Sequence, residues 1–587
     1  MSGNKPCPYT GGNPAFATKP NSVREPIDLI RDTEYFSDIE ESTLAEMAKA
    51  CQYVEVSRGS TLYREGERAE SFYILAYGRL GVFSGRRRIS EVHPRECVGE
   101  VALLRDGKRT TTVKAERDCL LLQLTKKSFE SLLENHPRAM LKVVLNVTDR
   151  LAGSYVQTTK PPQSIAVVPV TAHEEFHDFC ERLRESLSQH NETVLCKPRE
   201  EVPGLSWFNE QEARGRTVLY QCRTGLCEWS ERCLRQADRV MLVGLADEPQ
   251  PPGVHEQYWN GLHKREGKVF LVLIGFGQSK RASKWLKDRK DVQVHHLEWG
   301  KPPNRIARFI HRKAFGLVLG GGGARGLAHI GVFKALEEQG IKPDLVAGTS
   351  MGGFCAALIA SGRSAEEVGR DLRWTWIDAG NYLDFNLPLY SIVKGDVVRG
   401  RLLRLFGHRH IEDLEIPFFC MTADITNAQS VVHDRGLIYR WVAVGMSIPG
   451  LAPPYPDNGR LLLDGGLLNN LPVDVASEFG CGEILAINVD PKEEMAIQDQ
   501  DFEGALSKQL WRKITGTTTA PSLVEVLIRV TTLTNAAAVG RMRHLIDHYI
   551  QPDTDQYGLL DFHKADEIVR CGYDAMMGYQ FKPEHMQ

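Results

Sequence analysis

The rhythm of apolar and polar positions changes three times along this chain. Between Asp28 and Leu151, short alternating runs such as Ser71-Phe72-Tyr73-Ile74-Leu75 and Leu80-Gly81-Val82-Phe83 are separated by glycine and charged turns. Period-two runs broken by frequent turns predict a small β-barrel. Near its end Phe129, Leu132, Leu133, Met140 and Leu141 recur at helical spacing, which predicts a helix over 127–151. Pro161-Pro162 then marks a linker. The second rhythm, Gln163 to Arg312, sets strand-like runs (Ser164 to Val170, Arg216 to Gln221, Arg239 to Gly244, Val269 to Gly275) against helical stretches such as Glu174 to Ser188. This is the βα pattern of a Rossmann-like sheet. No glycine-rich turn follows its first strand, where Val170 runs into Thr171-Ala172-His173. A structural coupler without a bound cofactor is expected there.

The third rhythm begins at Gly316. An apolar strand, Leu317 to Leu319, opens into Gly321-Gly322-Gly323-Ala324-Arg325-Gly326 and a helix. A second strand, Asp344 to Ala347, ends on Gly348-Thr349-Ser350-Met351-Gly352. That pentad is G-x-S-x-G, the turn that lifts a serine hydroxyl between a strand and a helix. Gly348 and Gly352 suit it because the turn leaves no room for side chains beside the serine. The helix from Met351 aims its N-terminal amides at the nucleophile. Amides of the glycine run, with Gly321, Gly322, Gly323, Arg325 and Gly326 as candidates, can converge on developing negative charge, on the order of 3 kcal/mol each. The same run fits a dinucleotide loop. Against that, no Lys-Ser/Thr follows, and Asp344 opens the second strand where a ribose-binding acid would end it.

A serine needs a base. The histidines after Ser350 are His408, His410, His433, His544, His548, His563 and His585, and none has a strand-end glycine setting. His408 and His410 flank an arginine, and His544 and His548 fall at helical spacing; all read as surface or packing residues. Leu461-Leu462-Leu463-Asp464-Gly465-Gly466 is different: an apolar strand ends in an acid. An Asp there can accept the serine proton directly, provided that burial raises its basicity. A plain Asp-Gly turn is the other reading of those residues.

GGGGARG, GTSMG and DGG, in this order, resemble the three blocks of the patatin-like phospholipases. Ser447-Ile448-Pro449-Gly450, Asn469-Asn470-Leu471-Pro472 and Leu560-Asp561-Phe562 are similar to the neuropathy target esterase branch of that family. The resemblance implies a Ser350-Asp464 dyad without histidine, an oxyanion hole at Gly321 to Gly326, and a mostly parallel α/β sheet covered by helices. It also implies hydrolysis of lysophospholipid or phospholipid esters at a membrane surface.

Within the barrel, Cys97-Val98-Gly99-Glu100-Val101-Ala102-Leu103-Leu104 and Arg105 to Thr111 resemble the phosphate-binding cassette of cyclic nucleotide-binding domains. The resemblance gives Glu100 the ribose hydroxyl, Arg109 the cyclic phosphate and Gly99 an assisting amide, with Val101, Ala102, Thr110 and Thr111 beside them. Charge-assisted bonds from an arginine next to free amides make a sound anion site. Cyclic AMP or cyclic GMP is then an allosteric ligand, and Thr110 is compatible with a guanine. A barrel that keeps this fold without a ligand is the other reading. One such cassette is visible, where animal members of the family have several.

Composition changes this picture little. With 587 residues, 42% hydrophobic and 25% charged, the chain has room for several folded domains. A formal net charge of -3 offers no global basic field for nucleic acid. Thirteen cysteines without C-x-x-C pairs suggest reduced thiols and a cytoplasmic setting. The first residues lack a signal-peptide core, and no run of 18 apolar residues occurs. The animal members, by contrast, carry an N-terminal membrane anchor.

The expected architecture is multidomain α+β and α/β: a disordered arm (1–27), a cyclic nucleotide-binding barrel (28–155), the Rossmann-like coupler (163–312), a patatin-like catalytic domain (315–480) and its extension (481–587). In that extension, Ala505 to Ile550 reads as a lipid-facing segment or as a packed helix pair. No metal or required cofactor is expected. A serine lipid esterase adjusted by a cyclic nucleotide is the reading preferred. A nucleotide-responsive scaffold with a silent hydrolase fold, and a lipid acyltransferase, stand beside it.

Overall fold

The computed structural model describes residues 25–136, 164–491 and 539–581, apart from 34–35, 37–38, 86, 101, 103–106, 213–214, 263–268, 276–281, 388–390 and 580. The arm up to residue 24, the linker Pro161-Pro162, Val101 and most of the segment 505–550 lie outside the described residues. The chain divides into two compact units, one of 1–244 with 250–271 and 291–293, the other holding the remainder.

The first unit opens with the barrel. Its strands are β1 (Gln52–Val56), β2 (Thr61–Tyr63), β3 (Ser71–Tyr77), β4 (Leu80–Ser84), β5 (Arg87–Val92), β6 (Cys97–Val98), β7 (Thr112–Ala115) and β8 (Cys119–Thr125). They form two four-stranded sheets, β1-β8-β3-β6 and β2-β7-β4-β5. Strand β8 shows why the barrel holds together. Its residues alternate between faces, and both faces are apolar. Cys119 and Leu121 pack inside with Leu75, Leu80, Val98 and Val113. Leu120, Leu122 and Leu124 pack outside with Leu29, Ile30, Leu44, Met47 and Phe129. Phe129 belongs to α1 (Lys126–Asn135), the described part of the helix predicted over 127–151.

Six strands follow: β9 (Ser164–Pro169), β10 (Thr193–Cys196), β11 (Thr217–Gln221), β12 (Arg239–Leu245), β13 (Val269–Gly275) and β14 (Val292–Glu298). Their order is β10-β11-β9-β12-β13-β14, and β9 pairs in parallel with both β11 and β12. Every residue of β9 and β11 is buried, as expected for parallel strands covered on both faces. The helix α2 (Phe176–Ser188) supplies one cover with Phe176, Phe179, Cys180, Leu183 and Leu187, a stripe of helical period.

Within this unit, buried charge joins barrel to sheet. Arg117, between β7 and β8, pairs with Glu212 and with Asp238 (2.5 Å), and donates to Ser164 Oγ at 2.9 Å. Asp238 also pairs with Arg79 at 2.8 Å, and Arg58 donates to the carbonyls of Leu234, Arg235 and Ala237.

The second unit carries β15 (Ala314–Leu319), β16 (Leu345–Gly348), β17 (Phe418–Asp424), β18 (Gln429–His433), β19 (Tyr455–Asp457), β20 (Arg460–Asp464), β21 (Cys481–Ile487) and β22 (His548–Ile550). The sheet runs β19-β20-β17-β16-β15-β21-β22, with β18 against β17. Its centre is parallel, but β20 meets β17 antiparallel, with Asp464 opposite Thr422. The helices α3 (Ala328–Glu338), α4 (Met351–Ala360), α5 (Asp396–Phe406), α6 (Ile438–Gly445) and α7 (Ala565–Met577) complete it. All ten residues of α4 are buried, as its MGGFCAALIA sequence without a polar face requires. Glycines let α3 and α7 cross closely: a Cβ on Gly331 would collide with the Val569 carbonyl, and one on Gly572 with the Ala328 carbonyl.

One expectation is corrected here. His548 is not on a helix face, because it lies on β22, which extends the parallel edge at β21. His544 sits in a single 3-10 turn.

Candidate active site

Ser350 stands between β16 and α4 with φ 54° and ψ -125°, a left-handed conformation rare for a side-chain-bearing residue. Tight packing holds it there. A Cβ on Gly348 would lie 2.5 Å from the Gly352 backbone, and one on Gly352 would collide with the Leu319 carbonyl. Both glycines are needed for close approach, not for their own φ values. Thr349 secures the turn by donating to the Asn469 carbonyl at 2.9 Å.

Strand β20 brings Asp464 to this turn. Ser350 Oγ donates to Asp464 Oδ2 at 2.6 Å, and the Gly466 N–H donates to Oδ1 at 2.8 Å. Asp464 is 5% exposed. Burial pushes its carboxyl up to about 6, while the bonds from Ser350 and Gly466 pull the other way. Loss of hydration disfavours the charged form more than two hydrogen bonds favour it.

Among the described residues no histidine is hydrogen-bonded to either group. His433 stacks on Trp441 at 3.9 Å and shares a hydrogen with Thr422 Oγ1 at 2.7 Å; burial lowers it to about 4. His410 meets Glu412, His544 the Arg541 carbonyl, and His548 lies between Glu483 and Tyr579. His585 lies outside the described residues.

The glycine run lies beside Ser350, but its amides are not equivalent. The Gly321 N–H donates to Asn470 Oδ1 at 3.2 Å, and Arg325 N–H donates to Gly322 O at 3.2 Å. The N–H groups of Gly322 and Gly323 have no acceptor among the described residues, so they alone of the five candidates fit the expected role by backbone donation. Gly326 serves packing, since a Cβ there would lie 2.5 Å from Met351 Cγ. Gly323 has φ 57°, whereas Gly322 is extended at φ 176°. Gly322 is required because a Cβ would lie 2.6 Å from Val489 Cγ2.

Two positioning residues escaped the sequence reading. Asn470 grips Gly321 at both ends, also donating to its carbonyl at 3.1 Å and to Asp490 Oδ2 at 2.9 Å. His329, on α3, is wholly buried and lowered to about 4; as a neutral ring it donates through Nε2 to the Gly320 carbonyl at 2.8 Å. Asn470 lies in the NNLP block, where no linear pattern marks an amide clamp, and His329 precedes the serine within an apolar helix.

In the barrel, Arg109 is 5% exposed. It donates to the Gly99 carbonyl at 2.9 Å and the Ser71 carbonyl at 2.6 Å, and lies 3.9 Å from the centre of the Tyr63 ring. These partners are neutral, and its Nε is buried without a hydrogen-bond acceptor. Gly99 has φ 90°, and a Cβ there would collide with the guanidinium. Glu100 and Thr111 are half-buried, Ala102 is buried and Thr110 is exposed.

Three family models match in the order of these sites: cyclic nucleotide-binding domain over 53–136, neuropathy target esterase family P-loop like domain over 198–313, and patatin-like phospholipase over 317–477. The chain belongs to the neuropathy target esterase family of patatin-like phospholipases. Patatin-like phospholipase domain-containing protein 7 of Rattus norvegicus is 30% identical over 89% of this chain and 45% of its own length. Neuropathy target esterase sws of Drosophila melanogaster is 30% identical over 90% and 43%, and Lysophospholipase NTE1 of Pyricularia oryzae 27% over 96% and 45%. The chain thus spans less than half the length of these relatives.

For a member of the neuropathy target esterase family, the surroundings of Ser350 are telling. A cavity of about 50 Å³ holds Ser350, Asp464, the glycine run, Ile448, Pro449 and Asn470. A second, of about 380 Å³ and mainly apolar, starts at Ser350 and Gly323 and continues between Trp376, Val398, Ile448, Leu451 and Phe562. The three sequence blocks SIPG, NNLP and LDF therefore all reach the site.

Proposed function

We propose that this chain is a serine lipid esterase that hydrolyses acyl esters of lysophospholipids or phospholipids, with Ser350 as nucleophile and Asp464 as base. The observation that carries this reading is the 2.6 Å bond from Ser350 Oγ to a buried carboxylate, at the head of an apolar cavity. Ser350 Oγ bonds to the ester carbonyl carbon while its proton passes to Asp464 Oδ2. The carbonyl oxygen takes the negative charge against the Gly322 and Gly323 amides. Collapse breaks the bond to the glycerol oxygen, which leaves with the proton from Asp464. Water then attacks the acyl-serine, again giving its proton to Asp464, which returns it to Ser350 Oγ as that bond to the acyl carbon breaks and the fatty acid departs. Asp464 works near neutral pH because burial moves it toward the pH at which it must exchange protons.

The barrel adds a cyclic nucleotide as regulator. Arg109, buried among neutral partners with an unsatisfied Nε, fits a cyclic phosphate, and the cassette pattern assigns Glu100 the ribose hydroxyl. A peripheral membrane location suits a lipid substrate, and among the described residues no helix is long and apolar enough to cross a membrane.

The test is product analysis with defined lysophospholipids and diacyl phospholipids, with and without cyclic AMP and cyclic GMP. Free fatty acid is expected, and Ser350→Ala and Asp464→Asn should each lose several orders of magnitude in kcat. Full activity in Asp464→Asn would refute the dyad. Acyl transfer to an added alcohol without free fatty acid would make the enzyme a transferase.

A further inference from the structure

Beside the apolar cavity, Asp384 to Leu387 and Ser391 to Lys394 are pinned at many points. Lys394 N–H donates to the Asp384 carbonyl at 2.9 Å, and Asn386 N–H to the Ile392 carbonyl at 2.8 Å. The Asp384 carboxylate accepts from the amides of Gly395, Asp396 and Val397 at 2.7–3.1 Å, which also caps α5. Ile392 and Val393 N–H donate to the carbonyls of Gly450 and Leu451, tying this stretch to the segment after the SIPG block.

Within this pinned stretch, Phe385 is 65% and Leu387 is 78% exposed, the highest values among the described large apolar side chains. Single exposed apolar residues are ordinary. These two share one short element with Tyr382, Leu383 and Val393, which line the cavity that reaches Ser350. Leu560, on the cavity wall, is 46% exposed. The exposed pair thus follows directly in the chain on residues that line the cavity. Lys394 and Arg440 also line the cavity and make no ion pair among the described residues, while Arg399 is held by Asp396 at 2.6 Å. Exposed apolar side chains beside a cavity lined by Lys394 and Arg440 match the acyl boundary and the phosphates of a lipid surface.

We infer that Phe385 and Leu387 form a wedge that enters an anionic lipid surface and sets the cavity mouth against it. An acyl chain then passes from membrane to Ser350 without crossing water. This deepens the acyl-ester reading and rests on it. A second copy of the chain or a protein partner covering the wedge is the competing occupant, and the experiment separates them.

Full-length Ser350→Ala protein, with and without Phe385→Asp and Leu387→Asp together, is sedimented with vesicles of phosphatidylcholine containing phosphatidylserine. The double change should lower partitioning tenfold or more, and Phe385→Trp with Leu387→Trp should preserve it. In the active protein, the aspartate pair should lower hydrolysis of vesicle-borne lysophospholipid to a similar extent. Hydrolysis of water-soluble 4-nitrophenyl butyrate should stay within twofold. Unchanged vesicle partitioning in the aspartate variant overturns the wedge, and so does a wild-type oligomer, seen without lipid, that the aspartate pair breaks into monomers. If wild type hydrolyses neither ester, the esterase reading falls, and the sedimentation result still decides the wedge.

Discussion

Asp464 holds its proton more tightly in the folded chain than an unfolded aspartate would, and this has two opposite consequences. In the proposed role of base it must be ionised, so kcat should fall as the pH drops through about 6, a limb that a rate profile on a soluble ester would show. Stability runs the other way. A carboxyl whose folded pKa is raised stabilises the fold below its unfolded value and loses that contribution as pH rises through about 6. Asp464→Asn should therefore melt higher than wild type at pH 7.5 and show no such difference near pH 4; a lower melting point at neutral pH would contradict the burial argument. Asn470 is the second residue on which the site depends. Asn470→Ala removes both ties to Gly321 and should cut kcat by about 10²-fold with KM for a small ester little changed; Asn470→Asp replaces a donor by an acceptor facing the Gly321 carbonyl and should do no better. Equal loss in kcat and in folded content would make Asn470 merely structural. The pairing of Ser350 with Asp464 was legible in the sequence because glycines framed both residues. The clamp was not, because nothing in a linear pattern says that an asparagine's two ends will meet one distant peptide unit.

Elements set where those residues stand. The crossing of α3 and α7 carries the glycine run on one side and Leu559 on the other, and Leu559 O accepts the Ala324 N–H at 2.8 Å. Gly572→Ala forces the helices apart at the Ala328 carbonyl. The expected result is a melting point lower by several degrees, from overpacking of about 1–3 kcal/mol, together with lost turnover in protein that is still folded. Full activity in the folded fraction would show that α7 does not hold the loop. In the middle sheet the apolar rhythm located β9, β11, β12 and β13, but β10 and β14 were missed, and in the second unit it marked β15, β16 and β20 without the strands between and beyond them. Strand β10 is only four residues long, and β14, VQVHHLE, carries polar residues along most of its length. The spacing of His544 and His548 suggested a helix because four residues separate them; pairing with β21, which no local pattern encodes, made the second of them part of a strand.

At the scale of the molecule, the barrel is fixed to the middle sheet by charge buried within one unit. Arg117→Ala would leave Glu212 and Asp238 buried without that cation, a loss of about 3–5 kcal/mol. It should lower the melting point while leaving nucleotide affinity near wild type, because Arg109 contacts none of those residues. Arg109→Ala should do the converse, weakening cyclic nucleotide binding by about 10²-fold with little change in melting point. Calorimetry and thermal denaturation on both variants check the pair; loss of affinity in both would mean that the two arginines share a single function. The domain order could be read from the sequence through its motifs. The joint could not, since Arg117, Glu212 and Asp238 come from separate segments with no common pattern.

The left-handed Ser350 sets a contest between endurance and work. A non-glycine residue in such a conformation costs on the order of 1–3 kcal/mol, and glycine would escape that cost while giving back roughly 0.5–1 kcal/mol in chain entropy. Ser350→Gly should therefore outlast Ser350→Ala in thermal denaturation, though neither can form an acyl-enzyme; equal melting points would mean the turn is unstrained. With Asp464 also more comfortable as an amide, selection for durability alone would erase both halves of the dyad. Under the proposed hydrolysis, their joint presence trades the chain's own persistence for turnover.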